Sequence, residues 1–145
     1  MQASTDPAAG FTLVETLIAL LVLAVGLLGL AHLYVECLRA THAALLRSRA
    51  VTLSADLAER IRANRDPADA YDCGGSCGAG TGGNTVAIDD LNAWVTSVAA
   101  LLPDGDGAVT YTAGTAGVPH SYRVTVSWVE IGHSARLAQH ARVEL

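Results

Sequence analysis

The longest run of apolar residues lies near the amino terminus and dominates the hydrophobic pattern of the chain. The sixteen residues from Thr16 to Ala31 carry no charge, and continuing the run to Val35 brings it to about the 20 residues that span a bilayer. Apolar residues make up 51% of the 145-residue chain and aromatic residues only 5%, and most of the apolar excess lies in this run. The pattern predicts a membrane-spanning helix over 11–35.

A second helical pattern follows and predicts that the same helix continues over 36–65. Apolar residues recur there at spacings of three and four, and charged residues occupy the other side. The apolar positions are Ala43, Leu46, Ala50, Leu53, Leu57 and Ile61, and the charged positions are Arg47, Arg49, Asp56, Glu59, Arg60 and Arg62. Nothing breaks the helix before Asp66-Pro67. A single helix from about Phe11 to Asn64 would be roughly 80 Å long.

The next stretch, 66–87, has the composition of a loop, with a proline and a cluster of glycines. A second helix is expected over 88–102, beginning near Asp89 or Asp90, because carboxylates suit the amino terminus of a helix. Its apolar side chains recur at helical spacing, at Leu91, Trp94, Val95, Val98 and Leu102. The proline and glycines of 103–107 end it.

The rest of the chain predicts strands at about 108–113, 121–130 and 135–144, with Gly132-His133-Ser134 as the last turn. Apolar and polar residues alternate with a period of two from Tyr122 to Trp128. The expected fold class is α+β, in which the long helix packs on a small antiparallel sheet with one extra helix. Because the head of residues 66–145 is small for independent stability, its sheet is expected to need the helix as a packing partner.

Three cysteines divide unequally between helix and loop. Cys37 falls on the long helix, whereas Cys73 and Cys77 bracket Gly-Gly-Ser. In an oxidising compartment a disulfide could close this short loop. The alternative is metal binding, but two cysteines without a nearby histidine supply only half of a zinc site.

The charge pattern argues against several classes of function. Net charge is −5, and all nine basic residues are arginines, six of them between Arg39 and Arg65. Direct nucleic acid binding is therefore not expected. Asp104 and Asp106 alternate as in calcium loops but lack a downstream acidic ligand, which favours a turn. No nucleophile elbow, phosphate loop or histidine pair at metal-ligand spacing is present in the sequence, so neither an enzyme nor a cofactor is expected.

The order of segments at the amino terminus is the reverse of a secretory signal peptide. The first ten residues, MQASTDPAAG, are polar and small, and the apolar helix follows them. Cleavage after Gly10 would therefore leave the helix on the mature chain. The stretch from Gly10 through Phe11 to Glu15 resembles the class III signal of type IV pilins and type II secretion pseudopilins. The resemblance implies that 1–10 is a leader, that a prepilin peptidase cuts after Gly10, and that Phe11 becomes N-methylated.

Glu15 stands one helical turn into the apolar segment, where a carboxylate is costly and is expected to have a partner. The resemblance implies the amine of the neighbouring subunit's first residue, although Glu15 could instead reach to the lipid headgroups. Two features depart from the family. The leader has Asp6 and no basic residue, and arginines follow the apolar segment. Charge bias alone would place the head in the cytoplasm, whereas the family places it outside, and we follow the family.

Further stretches resemble the minor pilin PilV family. They are Val25 to Ala31, Ser48 to Arg65, Leu91 to Trp94 and Tyr122 to Trp128. This resemblance implies a minor pilin that enters or primes the pilus fibre and supports twitching motility or adhesion. Implied partners are the prepilin peptidase, other minor pilins, the major pilin, the inner-membrane assembly platform and membrane lipid. The head would be periplasmic before assembly. Alternatives are a type II secretion pseudopilin and a membrane protein that is never processed.

Overall fold

The computed structural model describes residues 11–65, 68–130 and 135–145. Within them lie two helices and four strands. In chain order these elements are α1 (Leu13–Ala63), β1 (Gly75–Ser76), α2 (Thr85–Leu101), β2 (Asp106–Thr112), β3 (Ser121–Val129) and β4 (Arg136–Glu144). The chain divides into two units, Met1–Thr41 and His42–Leu145.

The described part of the first unit is mainly the amino-terminal portion of α1. An 18-residue window of this helix has a mean hydropathy of 2.6, and none of the window is buried. The helix is therefore long and apolar enough to cross a membrane. Its large apolar side chains, from Leu13 to Leu38, are exposed.

The second unit contains the remainder of α1, which buries one face in a hydrophobic core. Leu46, Ala50, Leu53, Leu57 and Ile61 are all buried, at the spacing of three and four that the sequence predicts. Ser54 and Ala58, each directly after a leucine of this face, are buried as well, so the buried face is wider than predicted.

The four strands form one antiparallel sheet in the order β1-β2-β3-β4. In the register between β2 and β3, Val109 lies opposite Val124, and Tyr111 lies opposite Tyr122. The buried face of β3 consists of Tyr122, Val124, Val126 and Trp128. These side chains share the core with the buried faces of α1 and α2. The predicted α+β class, a long helix packed on an antiparallel sheet with one extra helix, is confirmed.

Helix α2 begins at Thr85 rather than near Asp89 or Asp90. The reason is that Asn84 caps it: the side-chain oxygen of Asn84 accepts a hydrogen bond of 2.8 Å from the backbone nitrogen of Ala87. This satisfies a backbone donor that the first turn of a helix leaves free. The first turn of α2 therefore begins within 66–87, the stretch that was expected to be a loop.

The stretch expected to be a loop over 66–87 also contains β1. Its two residues pair with β2, Gly75 opposite Val109 and Ser76 opposite Ala108. The strand is held on both sides, because the nitrogen of Cys73 donates to Val109 and that of Cys77 donates to Gly107, at 3.2 and 2.7 Å. The expected helix end at Asp66-Pro67 and the expected turn Gly132-His133-Ser134 lie outside the described residues.

A candidate assembly site at the amino terminus of α1

The side chain of Thr12 caps the amino terminus of α1. Its hydroxyl oxygen accepts a hydrogen bond of 3.3 Å from the backbone nitrogen of Glu15, and its carbonyl accepts from the same nitrogen at 3.1 Å. Threonine followed three residues later by glutamate is the sequence signature of a capping box. Of the two reciprocal bonds of such a box, the described residues form the one that Thr12 accepts, so Thr12 encodes the helix start locally.

The carboxylate of Glu15 is exposed, in the first turn of α1. Among residues 11–65, 68–130 and 135–145 it has no ion pair and no side-chain hydrogen bond. A carboxylate at the head of a helix is favoured by the helix dipole, yet inside hydrocarbon it still needs a cationic partner or water. Its position suits a partner supplied by another molecule.

Phe11, the predicted first residue of the mature chain, is 81% exposed and precedes α1. Gly10 and the rest of the predicted leader lie outside the described residues. The structure therefore describes Phe11 and Glu15 but not the bond that the peptidase would cut.

Two glycines interrupt the apolar surface of α1. A Cβ atom added at Gly26 or at Gly29 would meet nothing within 4 Å. The fold of the single chain thus gives no steric reason for glycine at either position. Each costs roughly 1 kcal/mol of helix stability relative to alanine, so a reason has to be sought in helix bending or in contacts with other molecules.

The second unit contains the predicted cysteine pair. Cys73 and Cys77 are joined by a disulfide with their Cα atoms 5.2 Å apart, and Cys77 is buried in the core. Together with the pairing of β1, the bridge fixes this loop against β2. Cys37 is a free and exposed cysteine of α1.

A polar network that the sequence did not suggest joins the loop to both helices. The Tyr71 hydroxyl donates to Asp90 at 2.6 Å, and Arg60 donates to the same carboxylate at 2.9 Å and to Asp56 at 3.0 Å. Burial, and next the hydrogen bond to Asp90, raise the pKa of Tyr71 to about 12. The hydrogen bond to Asp90 raises the pKa of Arg60.

The acidic pair Asp104 and Asp106 takes part in other contacts. Arg136 donates to the Asp104 carboxylate at 2.6 Å, and the Ser76 hydroxyl donates to Asp106 at 2.7 Å. Asp104 has a left-handed φ of 49°, a conformation that aspartate tolerates in turns. Within the described part of the chain, no three histidine, cysteine or acidic residues are grouped as metal ligands.

Two family models match consecutive parts of the chain. Residues 7–31 match the prokaryotic N-terminal methylation motif. Residues 32–74 match the family described as type IV pilin Tt1218. Together the two matches run from residue 7 to residue 74. No curated protein and no solved structure gives a significant match.

The type IV pilin match agrees with the observed fold, a long amino-terminal helix with a small antiparallel sheet and one further helix. The methylation motif covers the Gly10-Phe11 bond and Glu15, and it fits an apolar helix that anchors the chain in a membrane. The family is structural rather than enzymatic. A pilin role in pilus assembly is thereby supported.

Proposed function

We propose that this chain is a minor pilin of the PilV kind, which is cut after Gly10, methylated at Phe11 and then inserted into the pilus fibre or used to prime it. The observation that carries the proposal is Glu15. Among the residues that the structure describes its carboxylate has no partner, and it lies in the first turn of an exposed apolar helix, inside a matched methylation motif. In the fibre it pairs with the amine of Phe11 of a neighbouring subunit. Charge neutralisation in hydrocarbon makes this pairing favourable.

The proposed location has two stages. Before assembly the chain is a single-pass protein of the inner membrane with its head in the periplasm. A disulfide in the head supports this orientation, because disulfides persist in the oxidising periplasm and are rare in the cytosol. After assembly the helix lies in the fibre. The proposed partners are the prepilin peptidase, the major pilin, other minor pilins, the inner-membrane assembly platform and lipid.

The proposed consequence is twitching motility or adhesion that depends on this subunit. Gene deletion followed by complementation tests it: surface pili are expected to be lost and then restored by the parent chain. If deletion leaves pili intact and instead blocks protein export, the chain serves type II secretion as a pseudopilin, and the pilus assignment is wrong.

Two variants separate processing from assembly. Gly10→Ala should leave the chain in the membrane with its leader attached, whereas Glu15→Ala should be cleaved but excluded from sheared fibres. Mass spectrometry of the amino terminus reads the first effect, and immunoblots of sheared pili read the second. Glu36→Ala is the matched control, because Glu36 is an acidic residue of the same helix that is paired with Arg39 in the monomer.

Each outcome bears on a separate part of the proposal. A parent chain that begins at Met1 in its native host contradicts processing. A Glu15→Ala chain that enters fibres as well as the Glu36→Ala chain contradicts the pairing of Glu15 with the Phe11 amine.

A further inference from the structure

Two arginines face each other on the outer face of the sheet. Arg123 of β3 lies directly opposite Arg142 of β4 in the antiparallel register, and both residues are exposed. Like charges placed directly across two strands destabilise a sheet. An anion bound between the two guanidinium groups would remove this repulsion.

The local carboxylates only partly neutralise the pair. The Arg142 Nε lies 3.3 Å from the Glu144 carboxylate. Arg123 has no ion pair or hydrogen bond of its side chain to any residue in the described ranges. Arg136, on the same face, is engaged by Asp104. Two arginines and one glutamate leave a local charge of about +1, which matches one singly charged group.

The two arginines border a cavity of about 180 Å³ that Thr112, Ser121 and Tyr122 also line. Ser121 is only 8% exposed, and within the described part of the chain its hydroxyl has no hydrogen-bond partner. The volume suits one small ring rather than a drug-sized ligand. Guanidinium groups bind carboxylates through paired N–H donors, and the hydroxyls of Thr112 and Ser121 both donate and accept.

We propose that this cavity binds a carboxylated sugar unit of the uronic acid class. The sugar carboxylate lies between Arg123 and Arg142, and the sugar hydroxyls bond to Thr112 and Ser121. The local charge of about +1 favours a carboxylate, which carries one negative charge, over a phosphate monoester, which carries nearly two at neutral pH. The hydroxyl-bearing wall favours a sugar acid over a simple organic anion.

The test is an NMR titration of the full chain in neutral detergent with monomeric glucuronate and galacturonate. Shifts of the backbone amides of Ser121, Arg123 and Arg142 are expected at roughly 1–10 mM ligand with at least one of the two sugars. Arg123→Gln should weaken binding at least tenfold. Arg62→Gln removes one exposed, glutamate-paired arginine elsewhere and should leave the affinity unchanged.

The control ligands decide the class of ligand. Glucose should cause no shift at these amides, and acetate and inorganic phosphate should bind at least tenfold more weakly than the sugar acid. The proposal fails if neither uronate shifts the amides, or if acetate or phosphate binds as tightly as the uronate. It also fails if Arg62→Gln weakens binding as much as Arg123→Gln, since a general charge effect would then explain the result.

Discussion

At the scale of single residues, Tyr71 connects several parts of the head through its hydrogen bonds. Its hydroxyl donates to Asp90 of α2 and accepts from the Asn64 side chain at 3.2 Å, just after α1. Its backbone nitrogen donates to the Tyr122 hydroxyl at 3.2 Å on β3. The side chain is fully buried. A buried phenol with a charged partner is costly to leave unbonded.

This burial predicts loss of stability at alkaline pH. The pKa of Tyr71 is raised from 10.0 in the unfolded chain to about 12 in the folded one. Below pH 10 both states keep the proton, and the stability is complete. As pH rises from 10 to 12 the unfolded chain releases the proton first, so the free energy of unfolding falls. Urea unfolding at stepped pH, with the chain in detergent, measures this slope.

The Tyr71→Phe variant should unfold more easily at pH 7, by about 1–2 kcal/mol, and should show a shallower loss above pH 10. Tyr34→Phe is the control, since Tyr34 is an exposed tyrosine of α1. An unchanged alkaline slope in Tyr71→Phe would contradict the assignment.

Residue spacing explains which contacts were predictable. The buried positions Leu46, Leu53 and Leu57 followed from a helical period, because neighbours on one face are close in sequence. The network of Tyr71 with Arg60 and Asp90 did not, because its members lie 11 to 30 residues apart and meet only after folding. Glu15 could be singled out as a candidate site from the sequence, because a charge inside an apolar run stands out in composition alone.

At the scale of elements, the start of α2 depends on the cap at Asn84. Asn84→Ala should lower the free energy of unfolding by about 1 kcal/mol, because the Ala87 backbone N–H loses its acceptor. Asn84→Ser should retain most of that stability, since serine also caps helices. Chemical denaturation of the three chains compares them, and equal losses in both variants would show that the cap is not the cause.

The disulfide loop carries a second prediction at this scale. The double variant Cys73→Ser with Cys77→Ser should lower the free energy of unfolding by about 2 kcal/mol. This is the contribution expected when a cross-link closes so short a loop and restricts the entropy of the unfolded chain. Cys37→Ser should have no effect on the head, as Cys37 is free. Thermal unfolding with and without reductant measures both. A parent chain that is insensitive to reductant would contradict the bridge.

Long elements with a regular alternation of apolar and polar residues were predictable from the sequence, and short elements were not. Strands β3 and β4 alternate over nine residues each, and α1 runs for 51. Strand β1 has two residues and no period, so only its pairing with β2 defines it. The start of α2 was placed too late because Asp89 and Asp90 suit a first turn, whereas the capping residue lies before them.

At the scale of the whole molecule, the exposed apolar surface requires partners. Large apolar side chains remain 44 to 81% exposed from Phe11 to Leu38. Soluble monomers rarely tolerate continuous apolar patches above a few hundred Å², so lipid or other subunits must cover this one. The extent of this apolar surface could be predicted from composition. The face of the helix that contacts a neighbour could not, because that contact depends on a second chain.

The glycines of α1 give a test of that second chain. Because a Cβ at Gly29 would meet nothing in the monomer, Gly29→Leu should leave the head's unfolding and the membrane fraction unchanged. If a neighbouring helix approaches closely at this glycine, as small residues allow, the added bulk should reduce incorporation into sheared fibres several-fold. Ala24→Leu adds bulk on a different side of the helix and should be tolerated. If both variants enter fibres as well as the parent, no neighbouring helix approaches closely at Gly29. If both variants lose incorporation equally, the helix is packed around its whole circumference.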